Sequence, residues 1–199
     1  MKKSKFVGSA LIAVFAVTMS TGLADKALAE SKATWGPKWT SKGELMLPKD
    51  FHHWVYLGSP LTPNALNDGK AGFPEYHNVY VQPEAFRAYR NTGVWPEGTI
   101  MLKELQLTQA GTNPDGSSVE PSGRGYFPGA LNGIYISVKD SKRFKDTNSW
   151  GFFNFTHHAP PYPKSAAVTP KEACAGCHIT NATKDMVFSK FYEPILNSK

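Results

Sequence analysis

Along residues 76–82 the side chains alternate. His77, Val79 and Val81 fall on one face, and Asn78, Tyr80 and Gln82 on the other, which is the period of a strand. Pro83 then stands where a helix can begin. Ala85, Phe86 and Tyr89 form an apolar stripe, and Gly93 is a natural stop. Pro96-Glu97-Gly98 predicts a turn into residues 99–108, the longest strand candidate. Residues 133–139 and 150–155 predict two further strands, the second rich in aromatics. Thr169 as a cap and Pro170 in a first turn predict a helix over 170–180. A second is expected over 184–196, carrying Met186, Val187, Phe188 and Phe191, with Pro194 weakening its last turn. Residues 109–125 are dense in Gly and Pro and read as a surface loop inserted into one domain. The pattern shows no repeat and no heptads. It predicts an α+β domain built mainly on an antiparallel sheet with a few helices.

The first 29 residues follow a different logic. Lys2, Lys3 and Lys5 precede a short apolar run from Phe6 to Val17, and Ala27-Leu28-Ala29 is a small-residue cleavage site. The run is shorter than the roughly 20 residues a membrane span needs. Residues 1–29 are therefore expected to be a signal peptide and 30–199 one exported domain, with a bacterial periplasm as the natural compartment. Four lysines and Asp25 leave with the signal, so the formal charge of +6 falls to +3. That mild excess argues neither for nucleic acid nor for a membrane surface, and is compatible with a small acidic redox partner.

The chain holds two cysteines, Cys174 and Cys177. A disulfide between them would close a very small loop and stabilise little. With His178 they spell Cys-x-x-Cys-His, the attachment sequence of a c-type haem: two thiols add across the porphyrin vinyl groups, and the adjacent histidine becomes the axial ligand of the iron. A thioredoxin-like pair does not need the histidine and expects a βαβ context. A zinc site needs further ligands, and no other cysteine exists. The expected cofactor is therefore one covalent haem c, with His178 on the metal. Met46, Met101, Met186, His52, His53, His77, His157 and His158 are open candidates for the other axial position, His157-His158 reading more simply as a surface pair.

Alternation in 99–108 places Met101, Lys103, Leu105 and Leu107 on one face. A lysine inside an apolar row is costly unless its amine is paired, chemically used, or snorkels from an edge strand. Pattern alone favours the edge strand.

Several longer stretches resemble the cytochrome P-460 family. They are Leu61-Thr62-Pro63-Asn64-Ala65-Leu66-Asn67-Asp68-Gly69-Lys70, Val79-Tyr80-Val81 with Pro83-Glu84, Gly98-Thr99 with Lys103-Glu104-Leu105, Ser137-Val138-Lys139-Asp140-Ser141 with Arg143-Phe144, and Asp185-Met186-Val187-Phe188. The resemblance implies a mainly antiparallel β domain, a homodimer, and a five-coordinate haem with a third covalent link from a lysine to the porphyrin. The matching lysine is Lys103. It also implies oxidation of hydroxylamine to nitric oxide or nitrous oxide, with a small cytochrome c taking the electrons. Where the family often has a distal glutamate, this chain has Tyr135. His77 stands where the pattern has an arginine. Tyr135 and His77 are thus the expected distal residues. The related c-prime-beta cytochromes imply the alternative: nitric oxide binding or electron transfer without turnover.

Overall fold

The computed structural model describes residues 35–197; the expected signal at 1–29 lies outside the described residues. The strands are β1 (Leu45–Met46), β2 (Val55–Gly58), β3 (Tyr76–Val81), β4 (Ile100–Thr108), β5 (Ser118–Glu120), β6 (Gly123–Gly125), β7 (Pro128–Lys139), β8 (Trp150–Thr156) and β9 (Ser165–Ala166). The helices are α1 (Pro83–Thr92), α2 (Ala175–Asn181) and α3 (Glu193–Leu196). Five strands form one antiparallel sheet in the order β2-β3-β4-β7-β8, so the fold is the expected α+β arrangement.

This sheet is covered on both faces. Val79, Val81, Met101 and Phe152 pack on one side with α1 and the C-terminal residues Ala175, Met186, Val187, Tyr192 and Leu196. Leu102, Ile134, Ile136, Val138, Phe153 and Phe155 pack on the other with Leu45 and Phe51. Two buried faces explain why Ile100-Met101-Leu102 and Phe152-Phe153 run without alternation. Each such side chain contributes roughly 1.5–3 kcal/mol by leaving water. Helix α1 forms as its sequence implies. Pro83 opens it, Ala85 and Tyr89 are its buried face, and Gly93 ends it at φ 71° with its N–H on the Tyr89 carbonyl.

Four expectations need correcting. Lys103 is not on an edge, because β4 is the central strand, with Val79 of β3 and Tyr135 of β7 opposite Lys103. The loop 109–125 contains a hairpin, β5 with β6, fastened by Arg124 to Asp115 at 2.9 Å. The helix expected from Pro170 begins at Ala175, because Thr169 is drawn away to β8: its N–H and hydroxyl both reach the Phe152 carbonyl. Residues 184–196 do not form one helix. Asp185 and Met186 take left-handed φ of 47° and 61°, a short 3-10 turn follows at Ser189–Phe191, and α3 is only four residues long.

In β7, Gly133 sits at φ 149°, and a Cβ there would lie 2.6 Å from the Thr156 oxygen and 3.1 Å from the His157 Cα. The backbone needs glycine both for its dihedral and for this approach. Gly133→Ala should destabilise the protein by about 1–3 kcal/mol, read as a lower urea midpoint at unchanged slope.

Candidate functional site

Helix α2 starts with Cys174 as its N-cap, which puts Cys177 and His178 three and four residues on. That spacing brings all three to one side of a single turn. Cys174 is half-buried, Cys177 is exposed, and both thiols are free. His178 is fixed from behind. Its Nδ1–H donates to the Met186 carbonyl at 2.7 Å, while Phe152 and Phe188 pack their rings 4.4 and 4.9 Å from the imidazole. Burial pulls the His178 pKa down, opposed by the Met186 hydrogen bond, and nearby Lys103 adds to the lowering. A neutral ring with Nδ1 engaged presents Nε2 to a metal, and the carbonyl raises its basicity.

The turn that carries Met186 is itself anchored. The Asp185 carboxylate accepts from Lys139 Nζ at 2.6 Å and from Trp150 Nε1 at 3.1 Å. An acidic side chain at φ 47° is tolerated because Asp can visit the left-handed region. The sheet therefore positions the imidazole through Asp185 and the Met186 carbonyl.

Facing this segment is Lys103. Its Nζ lies 3.8 Å from the Phe73 ring centre and 4.9 Å from that of Tyr135, and it forms no ion pair among the described residues. Burial pulls its pKa from the ordinary lysine value to about 8, against the opposing charges of Cys174, Glu75 and Cys177. Amine, thiols and imidazole therefore feel one another across the site. Tyr135 meets Phe73 edge-on at 5.4 Å, and its phenol pKa is raised, first by burial and then by Cys174 and Glu75. His77 meets Phe73 edge-on at 5.7 Å, and its Nε2–H donates to the Phe73 carbonyl at 3.2 Å. Burial and then Lys103 lower its pKa.

Of the other axial candidates, Met186 lies beside His178, to which it gives its carbonyl, and several lie elsewhere. His52 pairs with Glu104, a neighbour of Lys103 in β4 that points to the opposite face of the sheet; Met46 is exposed on β1, and Met101 belongs to the core. His157 and His158 lie side by side at the surface. Both are exposed, as a surface pair would be, but in addition His157 stacks on Phe73 at 5.4 Å and donates to the Glu75 carboxylate at 2.7 Å. Phe73, Glu75 and His157 thus border the site; sequence reasoning missed Phe73 and Glu75, and named His157 only as an open axial candidate. Glu75 precedes His77 by two residues, so the alternation of β3 extended backwards points to it.

These residues fit a haem. Two free thiols flank an imidazole with one nitrogen tied back, and an amine without a counter-ion lies among aromatic rings opposite. The fold and the site define a haem-binding cytochrome. Residues 48–189 match the family described as Cytochrome P460, and the chain belongs to that family. No curated protein matches it.

Asp185→Asn keeps a side chain that accepts the left-handed turn but removes the charge facing Lys139. It should cost about 1–3 kcal/mol in chemical denaturation, since a partly buried ammonium loses its partner.

Proposed function

We propose that the protein is an exported mono-haem c-type cytochrome that oxidises hydroxylamine. In this reading residues 1–29 are a signal peptide, the compartment is the periplasm, a small cytochrome c accepts the electrons, and the working form is a homodimer. The observation that carries the reading is Lys103: an amine without an ion-pair partner among the described residues, in the central strand, opposite the Cys174-Cys177-His178 turn. Membership of the Cytochrome P460 family supports a haem oxidoreductase.

Cys174 and Cys177 would hold the porphyrin through thioether bonds, and His178 Nε2 would hold the iron. The haem would supply redox chemistry on hydroxylamine. Lys103 would make a third link: its nitrogen and a porphyrin rim carbon each give up a hydrogen as a proton, and an external two-electron oxidant of the peroxide class takes the electron pair. Forming that bond requires a lone pair on nitrogen. With a pKa near 8, roughly a tenth of the amines are neutral at pH 7, against roughly 0.03% for an ordinary lysine. Burial thus prepares the nucleophile. Phe73 walls the substrate side and limits water, while His77 and Tyr135 border it as orienting groups. Hydroxylamine loses three protons and three electrons on becoming nitric oxide, so the pocket must also dispose of protons. Lys103 separates this reading from that of a gas-binding relative with an apolar distal pocket.

Two measurements test it. Lys103→Ala should retain haem by intact mass, through Cys174 and Cys177, but lose the red-shifted reduced Soret band; identical wild-type and variant spectra would remove the link. Because the folded amine is protonated below about pH 8 and neutral above it, loading the chain with haem at pH 9 should give a larger red-shifted fraction than at pH 6. With excess hydroxylamine and an artificial electron acceptor, the wild-type protein should release nitric oxide or nitrous oxide. No turnover by cross-linked protein would overturn the enzyme reading.

A further inference from the structure

Glu75 is the buried acid that the roles above leave unused. Its side chain is 1% exposed. Two N–H donors converge on one oxygen: His157 Nε2 and Asn132 Nδ2 each lie 2.7 Å from Oε1. The other oxygen, Oε2, is buried and has no hydrogen-bond partner among the described residues. A buried carboxylate oxygen left open is expensive, and such groups ordinarily answer to a ligand, a water or a chemical task.

The surroundings point to the task. Glu75 feels the charge of Lys103 on β4, His77 on β3 and Tyr135 on β7. Phe73, whose ring carries the Lys103 amine on its face, also stacks on His157. The carboxylate therefore belongs to the same pocket as the lysine, on the side away from Asp185 and Met186. His157 differs from it in one respect: about a third of its side chain, 34%, is exposed.

We propose that Glu75 is the proton acceptor of the site and that His157 is its positioning residue and its route to solvent. This rests on the hydroxylamine reading. A proton leaves nitrogen or oxygen of the substrate and passes to Glu75 Oε2, directly or through one water. The carboxylate becomes a carboxylic acid while Oε1 stays held by Asn132 and His157. The electrons go to the haem and then to the external acceptor. The acid returns its proton to water on the His157 side. The carboxylate that the family resemblance places at Tyr135 is thus replaced by one two residues before His77, and neither a phenol nor an imidazole depressed by burial has to act as base.

The test uses folded, haem-loaded protein. Glu75→Gln keeps shape and both Oε1 contacts but cannot accept a proton. It should lower hydroxylamine turnover at least about 100-fold, the low end for a placed acid–base group. A second readout needs no turnover. Hydrogen cyanide must lose its proton to bind ferric haem as cyanide, so its association rate should fall at least about tenfold in Glu75→Gln, with the resting Soret band unchanged. His157→Gln should give a smaller loss and shift the pH profile of both rates. Unchanged rates in Glu75→Gln overturn the proposal, as does slowed turnover with unchanged cyanide binding, which would mark a structural role. If Glu75→Gln does not fold, His157→Gln decides: unshifted pH profiles overturn the proposal. If wild-type protein oxidises no hydroxylamine, that reading fails, and the cyanide rates still judge Glu75 by themselves.

Discussion

An amine in the middle of a covered sheet constrains everything around it. Lys103 is only partly exposed on β4, since β3 and β7 flank it and the sheet is packed on both faces. Nor does it have an ion-pair partner among the described residues. What it has is Phe73 beneath the charge and Tyr135 beside it, at the distances of cation–π contacts. Such contacts are worth about 0.5–2 kcal/mol, too little to offset full desolvation of an ammonium. The protein relieves the remainder by lowering the pKa, and so stores an amine ready for chemistry. The same two rings shape the pocket in which His77, Glu75 and His157 meet.

The opposing wall solves a different problem. A histidine that is to bind metal must be neutral, correctly rotated and basic. Burial keeps His178 neutral, while its orientation and basicity come from one carbonyl, that of Met186, whose backbone is bent into a left-handed turn to deliver it. The turn stays bent because Asp185 is fastened to Lys139 and Trp150 on the sheet. The helix predicted across 184–196 yields to this requirement. A helical Met186 would have its carbonyl directed along the helix axis, away from the imidazole.

What could be read from the chain beforehand follows from this division. Cys174, Cys177 and His178 were legible because covalent attachment demands fixed spacing within five residues. The strands β3, β4, β7 and β8 and the helix α1 were legible from alternation, from Pro83 and from Gly93. Lys103 stood out as a charge in an apolar row, but its strand's place in the sheet order is a long-range property, and the edge-strand reading was wrong for that reason. Glu75 and His157 are 82 residues apart and meet only when β3 and β8 join one sheet through β4 and β7. The alternation of β3, extended one residue back, puts Glu75 on the face of His77, but nothing local reveals its partners. The exposure of His157 was legible, but its contacts with Glu75 and Phe73 are long-range and were not.

The position of Lys103 relative to Cys174 also has a topological meaning. If both are bonded to one rigid porphyrin, as proposed, the chain between them would be a closed ring, running through β7 and β8 before it returns at α2. The porphyrin would then act as a staple across the two halves of the site. By the chain-entropy relation used for disulfides, a loop of about seventy residues removes roughly 4 kcal/mol of freedom from the unfolded chain. A molecule so tied unfolds without losing its cofactor and without separating its halves, so the path back to the native sheet stays short.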